Sequence, residues 1–128
     1  MRVALLLALP LISLAGSVAM AQTAPTVIVQ LSNFKFAPST IVLDRGRPYV
    51  LRLMNVSDSG HDFVAESFFD AADVAPADRK VIAEGGIEVP PGQAIDIRLT
   101  APAAGSYKLK CSHSFHKMFG MSGSIVVR

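Results

Sequence analysis

The sequence predicts an all-β protein, a Greek-key β-sandwich with a short helical insert around residues 66–84. Three observations carry that prediction. Apolar residues recur with period two over several short runs. Eight Pro and nine Gly punctuate those runs. One stretch alone, Glu66 to Glu84, has helical spacing instead. With 128 residues, 51% of them apolar, the chain supports one compact core and not two.

Each element follows from its residues. Thr26 to Leu31 alternates around β-branched side chains, and Phe34-Lys35-Phe36 continues with the same period. Ala37-Pro38-Ser39 is turn chemistry, after which Thr40 to Leu43 is extended again. Asp44-Arg45-Gly46-Arg47-Pro48 makes a polar turn. Tyr49 to Val56 sets Tyr49, Leu51, Leu53 and Asn55 on one face and Val50, Arg52, Met54 and Val56 on the other. Ala94 to Thr100 separates Ile95, Ile97 and Leu99 from Asp96 and Arg98. Ser106 to Cys111 alternates Tyr107, Leu109 and Cys111 with Lys108 and Lys110, and Ser124 to Val127 closes the chain. Within 66–84, Pro76 suits the first turn of a helix and Gly85-Gly86 its end. One or two short helices are expected there, covering one end of the sandwich.

The first 21 residues read as a leader. Arg2 precedes an apolar run from Val3 to Gly16, and Ala19-Met20-Ala21 places small residues where a signal peptidase reads them. The run is shorter than the ~20 apolar residues of a membrane span, and Pro10 interrupts it. The expected division is a signal peptide, 1–21, and a mature domain, 22–128, with no membrane span and a periplasmic or secreted location. Cleavage after Ala19 is the nearby alternative.

Charge and cysteine usage exclude several classes. Twelve Lys plus Arg against ten Asp plus Glu leave a formal charge of +2, without the basic clustering that nucleic acid requires. Six acids and no Lys or Arg lie between Asp58 and Asp78, and five bases and no acid between Ile97 and Arg128. That asymmetry suits steering of a partner, and a solvated helix face accounts for the acids equally well. A single Cys excludes an internal disulfide, a Cys-x-x-Cys redox pair and a Cys₄ zinc site. Exported proteins usually pair their cysteines, so Cys111 calls for another explanation.

The segment from Cys111 to Met121 supplies one. It concentrates the only Cys, two of three His and two of five Met within eleven residues. A thiolate, an imidazole and a thioether are soft to borderline donors, a set that suits copper in a trigonal His₂Cys site with a weak axial Met. Zinc accepts Cys and His but gains little from a thioether. His61, the one His elsewhere, follows Ser59-Gly60 after the Tyr49–Val56 strand, where the fold can bring it to the same rim. His113 and Met118 are additional donors on the loop. A Cys–His nucleophile needs an oriented base and an oxyanion hole, and no motif for either occurs. Phosphate-loop, His-Glu-x-x-His and nucleophile-elbow patterns are missing too. Three His are too few for a multicopper oxidase. The chain does not read as an enzyme.

Several segments together resemble one family. They are Phe34-Lys35-Phe36-Ala37-Pro38, then Gly60-His61-Asp62-Phe63, then Gly105-Ser106-Tyr107 leading into Cys-x₄-His-x₄-Met and Gly-x-Ile-Val-Val. On these the sequence resembles the cupredoxins, the small blue-copper proteins related to plastocyanin and azurin. The resemblance implies one type 1 copper ion with Cys111 as thiolate ligand, His61 and His116 as equatorial imidazoles and Met121 as axial thioether. It implies electron transport, by a single-electron carrier meeting transient redox partner proteins. A periplasmic copper-trafficking or copper-resistance protein is the alternative. Asn55 and Asp62 are candidates to support His61, and Phe115, Met118 and Phe119 to form apolar surface around the loop His. The chain departs from many relatives at Ser114-Phe115, where they carry Pro-Gly, and His113 and Met118 have no part in the pattern. Asn55-Val56-Ser57 also matches a glycosylation sequon, a pattern common by chance. Oligomeric state and the identity of the partners are not legible.

Overall fold

A computed structural model describes residues 13, 15–17, 23–113 and 119–128. The chain runs through β1 (Thr26–Ser32), β2 (Lys35–Ala37), β3 (Thr40–Leu43), β4 (Pro48–Asn55) and β5 (His61–Val64). It continues as α1 (Glu66–Ala71), β6 (Asp73–Val74), α2 (Pro76–Arg79), β7 (Gly86–Val89), β8 (Ala94–Thr100), β9 (Gly105–Lys110) and β10 (Ser122–Val127). Two five-stranded sheets result, in the orders β2-β1-β4-β8-β6 and β3-β10-β9-β5-β7. Both are mixed, because β1 runs parallel to β4 and β10 parallel to β3.

The period-two faces read from the sequence become the two inner surfaces. Leu51, Leu53, Ile97 and Leu99 come from the first sheet, and Ile41, Phe63, Leu109 and Ile125 from the second, all in one buried cluster. The helical insert anchors to the same core. Phe68 and Phe69 of α1 are fully buried. Ring centroids lie 5.8 Å apart for Phe36–Phe63, 6.0 Å for Phe63–Phe69 and 5.7 Å for Phe68–Tyr107. These aromatic contacts brace β5, the strand that begins at His61.

Two local expectations change. Phe34-Lys35-Phe36 does not prolong the first strand; the chain reverses at Asn33-Phe34, so that Ser32 pairs with Lys35. Phe34 takes φ +67° to make the turn. Alternation is blind to a reversal that keeps its period, which is why the pattern read straight through. The 66–84 stretch holds two helices of six and four residues, separated by β6, which pairs with β8. Gly85-Gly86 does not end a helix. Gly85 has φ +72°, and a Cβ there would meet Glu66 Cα at 2.7 Å, so the residue allows close approach to the start of α1. Gly86 opens β7, and β5 and β7 are short strands with no clean alternation.

Most of residues 1–21, including the expected cleavage site, lies outside the described residues, as do 114–118 with His116 and Met118. No helix among the described residues is long and apolar enough to cross a membrane.

The short helix α2 is latched to β8 by one ion pair. Asp78 Oδ2 accepts from Arg98 N at 2.9 Å and from Arg98 Nε at 2.8 Å, while Asp78 Oδ1 accepts from Arg98 Nη2 at 3.0 Å. Arg98, through its guanidinium and then its backbone N–H, holds the Asp78 carboxyl down to about 2. A depressed folded value contributes stability above the ordinary carboxylate range, lost as pH falls through about 2. Asp78→Asn is therefore expected to be less stable than wild type near neutral pH, with the two converging as pH drops from about 4 toward 2. Urea unfolding across that range measures it.

Candidate metal centre

Three of the four predicted ligands converge at one end of the second sheet. His61 begins β5, and Phe63, on its face, pairs with buried Ile87 while His61 itself pairs with buried Val89. Both therefore point inward. Cys111 follows β9, where Leu109 is inward and Lys110 exposed, so alternation turns the thiol inward as well. Met121 precedes β10. The Ser122–Lys110 register, continued by Cys111 N donating to Met121 O at 3.0 Å, sets Met121 directly opposite Cys111. His61 and Cys111 are 0% exposed and Met121 1%. β5 and β9 are antiparallel and pair at Val64 and Lys110, the last residue of each, so the register continues with Phe63 opposite Cys111 and His61 two residues further along the same inward face. The fourth residue, His116, belongs to 114–118, outside the described residues, between Cys111 and Met121 in the sequence.

The orientation of His61 is set by a loop that spacing does not reveal. Ser57 Oγ lies 2.8 Å from His61 Nε2. The hydroxyl proton has Asn55 Oδ1 at 2.8 Å and Ser59 O at 3.0 Å as acceptors, which leaves the oxygen able to accept from the ring. With Nε2–H donating to this oxygen, Nδ1 would offer its lone pair to a metal. Asn55 holds Ser57 in turn: its Oδ1 accepts from Ser57 N at 3.0 Å, and its Nδ2 donates to Ser59 O at 2.7 Å and Val89 O at 2.9 Å. With the amide committed and 2% exposed, the sequon match at Asn55 has a structural explanation.

The sulfur has its own supports. Burial pushes the Cys111 thiol up to about 11, against the backbone N–H groups of Asp62 and His113, which both bond toward the sulfur and favour thiolate. A cation bound there must displace the thiol proton. The Asp62 carboxylate accepts from Ser112 N at 2.6 Å and from the Ser112 hydroxyl, tying β5 to the chain just past Cys111. His113 turns away toward Glu88, Nε2 to Oε2 3.1 Å. Ser57, Ser112 and Glu88 escape a reading of the sequence, since each acts through a contact that carries no periodic signal. A buried thiol, a buried imidazole and an inward thioether form a donor set that fits copper better than zinc.

Comparison with known proteins agrees with this architecture. The family described as Cupredoxin-like domain matches residues 3–127, and the chain belongs to that family. The fold resembles a dithionite-reduced auracyanin from Roseiflexus castenholzii, with TM-score 0.60 and 19% identity over 84% of this chain and 99% of that one. It also resembles auracyanin A, described as a "blue" copper protein from Chloroflexus aurantiacus, with TM-score 0.55 and 18% identity over 80% and 99% of the two chains. A multicopper oxidase from Campylobacter jejuni aligns at TM-score 0.61 and 13% identity, over 85% of this chain and 31% of that one. No curated protein matches the chain.

Asn55→Ala is expected to destabilise the protein by about 1–3 kcal/mol, because buried carbonyls and the Ser57 N–H lose their partner. Ser57→Ala is expected to cost less, since the Asn55 contacts remain. Denaturant midpoints of the two variants test that order.

Proposed function

We propose that this protein is an exported single-electron carrier holding one type 1 copper ion through His61, Cys111, His116 and Met121. On this reading residues 1–21 are removed and 22–128 act in the periplasm or outside the cell. The observation that carries it is the convergence of His61, Cys111 and Met121, all buried, at one end of one sheet. His116 joins them from the loop between Cys111 and Met121.

A copper ion held there supplies a one-electron couple. The chain's own part is to keep the cage constant. Strand backbone fixes the residues on either side of the loop, and the Asn55–Ser57 network fixes the His61 ring. The N–H groups of Asp62 and His113 draw charge from the Cys111 sulfur, and the weak Met121 thioether tunes the site. Beside the loop, Phe119 and Phe34 are 63% and 44% exposed, with ring centroids 5.0 Å apart. An apolar patch of that kind suits the small, short-lived interface of a redox encounter. With three His in the whole chain, the donor set supports one copper centre and a carrier rather than an oxidase.

Adding Cu(II) to the purified domain is expected to produce an intense visible thiolate-to-copper band and narrow parallel hyperfine splitting in EPR. Cys111→Ser should abolish both, and a colourless wild-type protein would overturn the reading. Reversible voltammetry without metal loss supports the carrier; release of copper on cycling supports trafficking instead. His116→Ala is expected to lose the colour and His113→Ala to keep it. Met121→Leu should retain copper at a raised potential, and Met118→Leu should change little; voltammetry compares the two.

A further inference from the structure

The outer face of the same sheet carries another group of side chains of the types that ligate metals. Asp62, Glu88 and His113 each bring one ligand atom to within 4.8 Å of the other two. Asp62 pairs directly with Glu88 in the β5–β7 register, so both carboxylates share the outer face. His113 Nε2 stands 3.1 Å from Glu88 Oε2. Two ligand atoms bound ~2.0–2.2 Å from a tetrahedral zinc ion stand roughly 3.3–3.5 Å apart, so this pair is already close to ligand spacing. Asp62 is almost buried and is fixed by its two bonds from Ser112. Each carboxylate oxygen keeps a further lone pair.

The surroundings favour a cation. A cleft of about 350 Å³ beside the cluster is lined by Asp62, Glu66, Glu84 and Glu88 against one Lys110. Gly60 leaves the approach open: a Cβ there would stand 3.2 Å from Glu88 Oε1 and 3.5 Å from His113 Cε1. We propose that Asp62, Glu88 and His113 form a site for a divalent cation of the Zn²⁺ class at the surface, adjoining the buried group of His61, Cys111 and Met121. One imidazole and two carboxylates are zinc ligands, with water completing the tetrahedron.

The two sites share their backbone. The residues that offer N–H groups to the Cys111 sulfur are Asp62 and His113, the same two whose side chains reach the outer cluster. Resting on the carrier reading, a cation outside the sheet favours the reduced form of the centre inside and raises its potential.

The test titrates Zn²⁺ by calorimetry into the copper-loaded protein and into Cys111→Ser, each with and without His113→Ala. The expected result is one Zn²⁺ per chain in both backgrounds, weakened roughly tenfold or more by His113→Ala and likewise by Glu88→Gln. Binding unchanged in His113→Ala, or dependent on Cys111 rather than His113, overturns the site. Should the wild type take up no copper, the carrier reading fails while the Cys111→Ser titrations still decide the zinc site. In the copper-loaded protein Zn²⁺ is expected to shift the potential upward and to leave that of His113→Ala unmoved. No shift in wild type overturns the coupling.

Discussion

The seam between β5 and β9 is the constraint on which the candidate site depends. Their backbones pair at one position, Val64 with Lys110, just before His61 and Cys111 must meet. Beyond it the Asp62 carboxylate takes over, receiving both the backbone N–H and the hydroxyl of Ser112. Its own backbone N–H is directed to the Cys111 sulfur. One residue thus closes the sheet and bears on the thiol twice, its N–H favouring thiolate and its carboxylate opposing it. A buried carboxylate is tolerable only when hydrogen-bonded this fully, which couples the integrity of the seam to the position of the sulfur.

How far the sequence announces this arrangement depends on the range of each interaction. Side-chain alternation along one strand is local, and it correctly turned Leu51, Leu53, Ile97, Leu99, Leu109 and Cys111 inward. The Cys111–Met121 spacing also resolves locally, because both residues flank one loop closed by their own backbone bond. The partner of His61 was harder. Ser57 lies four residues earlier inside an Asn-x-Ser pattern with a common chance meaning, and its role appears only when Asn55 is seen holding it. Glu88 was invisible for a different reason. The β5–β7 register that brings it beside Asp62 and His113 spans the insert, and no periodicity crosses that distance. Phe34 misled because an alternating pattern survives a hairpin turn unchanged.

The two sheets divide their tasks. Every described candidate ligand belongs to the sheet containing β5, β9 and β10 or to the chain beside it. The β1-β4-β8 sheet supplies the opposing wall of apolar side chains, and its outer face carries ion pairs such as Arg52–Asp96 at 2.8 Å. Those exposed pairs contribute little individually. The wall matters through its volume, because the apolar side chains of both sheets pack into one buried cluster that includes Cys111.

The parallel pairing of β10 with β3 has a further consequence for the order of assembly. Ser124 sits against Thr40, and Arg128 closes on Leu43, contacts between the two distant ends of the domain. Such pairings form slowly, since a long stretch of polypeptide must be ordered before they reward it. A nascent chain still lacking its final strand would have Cys111 but no opposing Met121 backbone to shut the loop. Cys111 and Met121 are thus set opposite one another only when the last strand has docked.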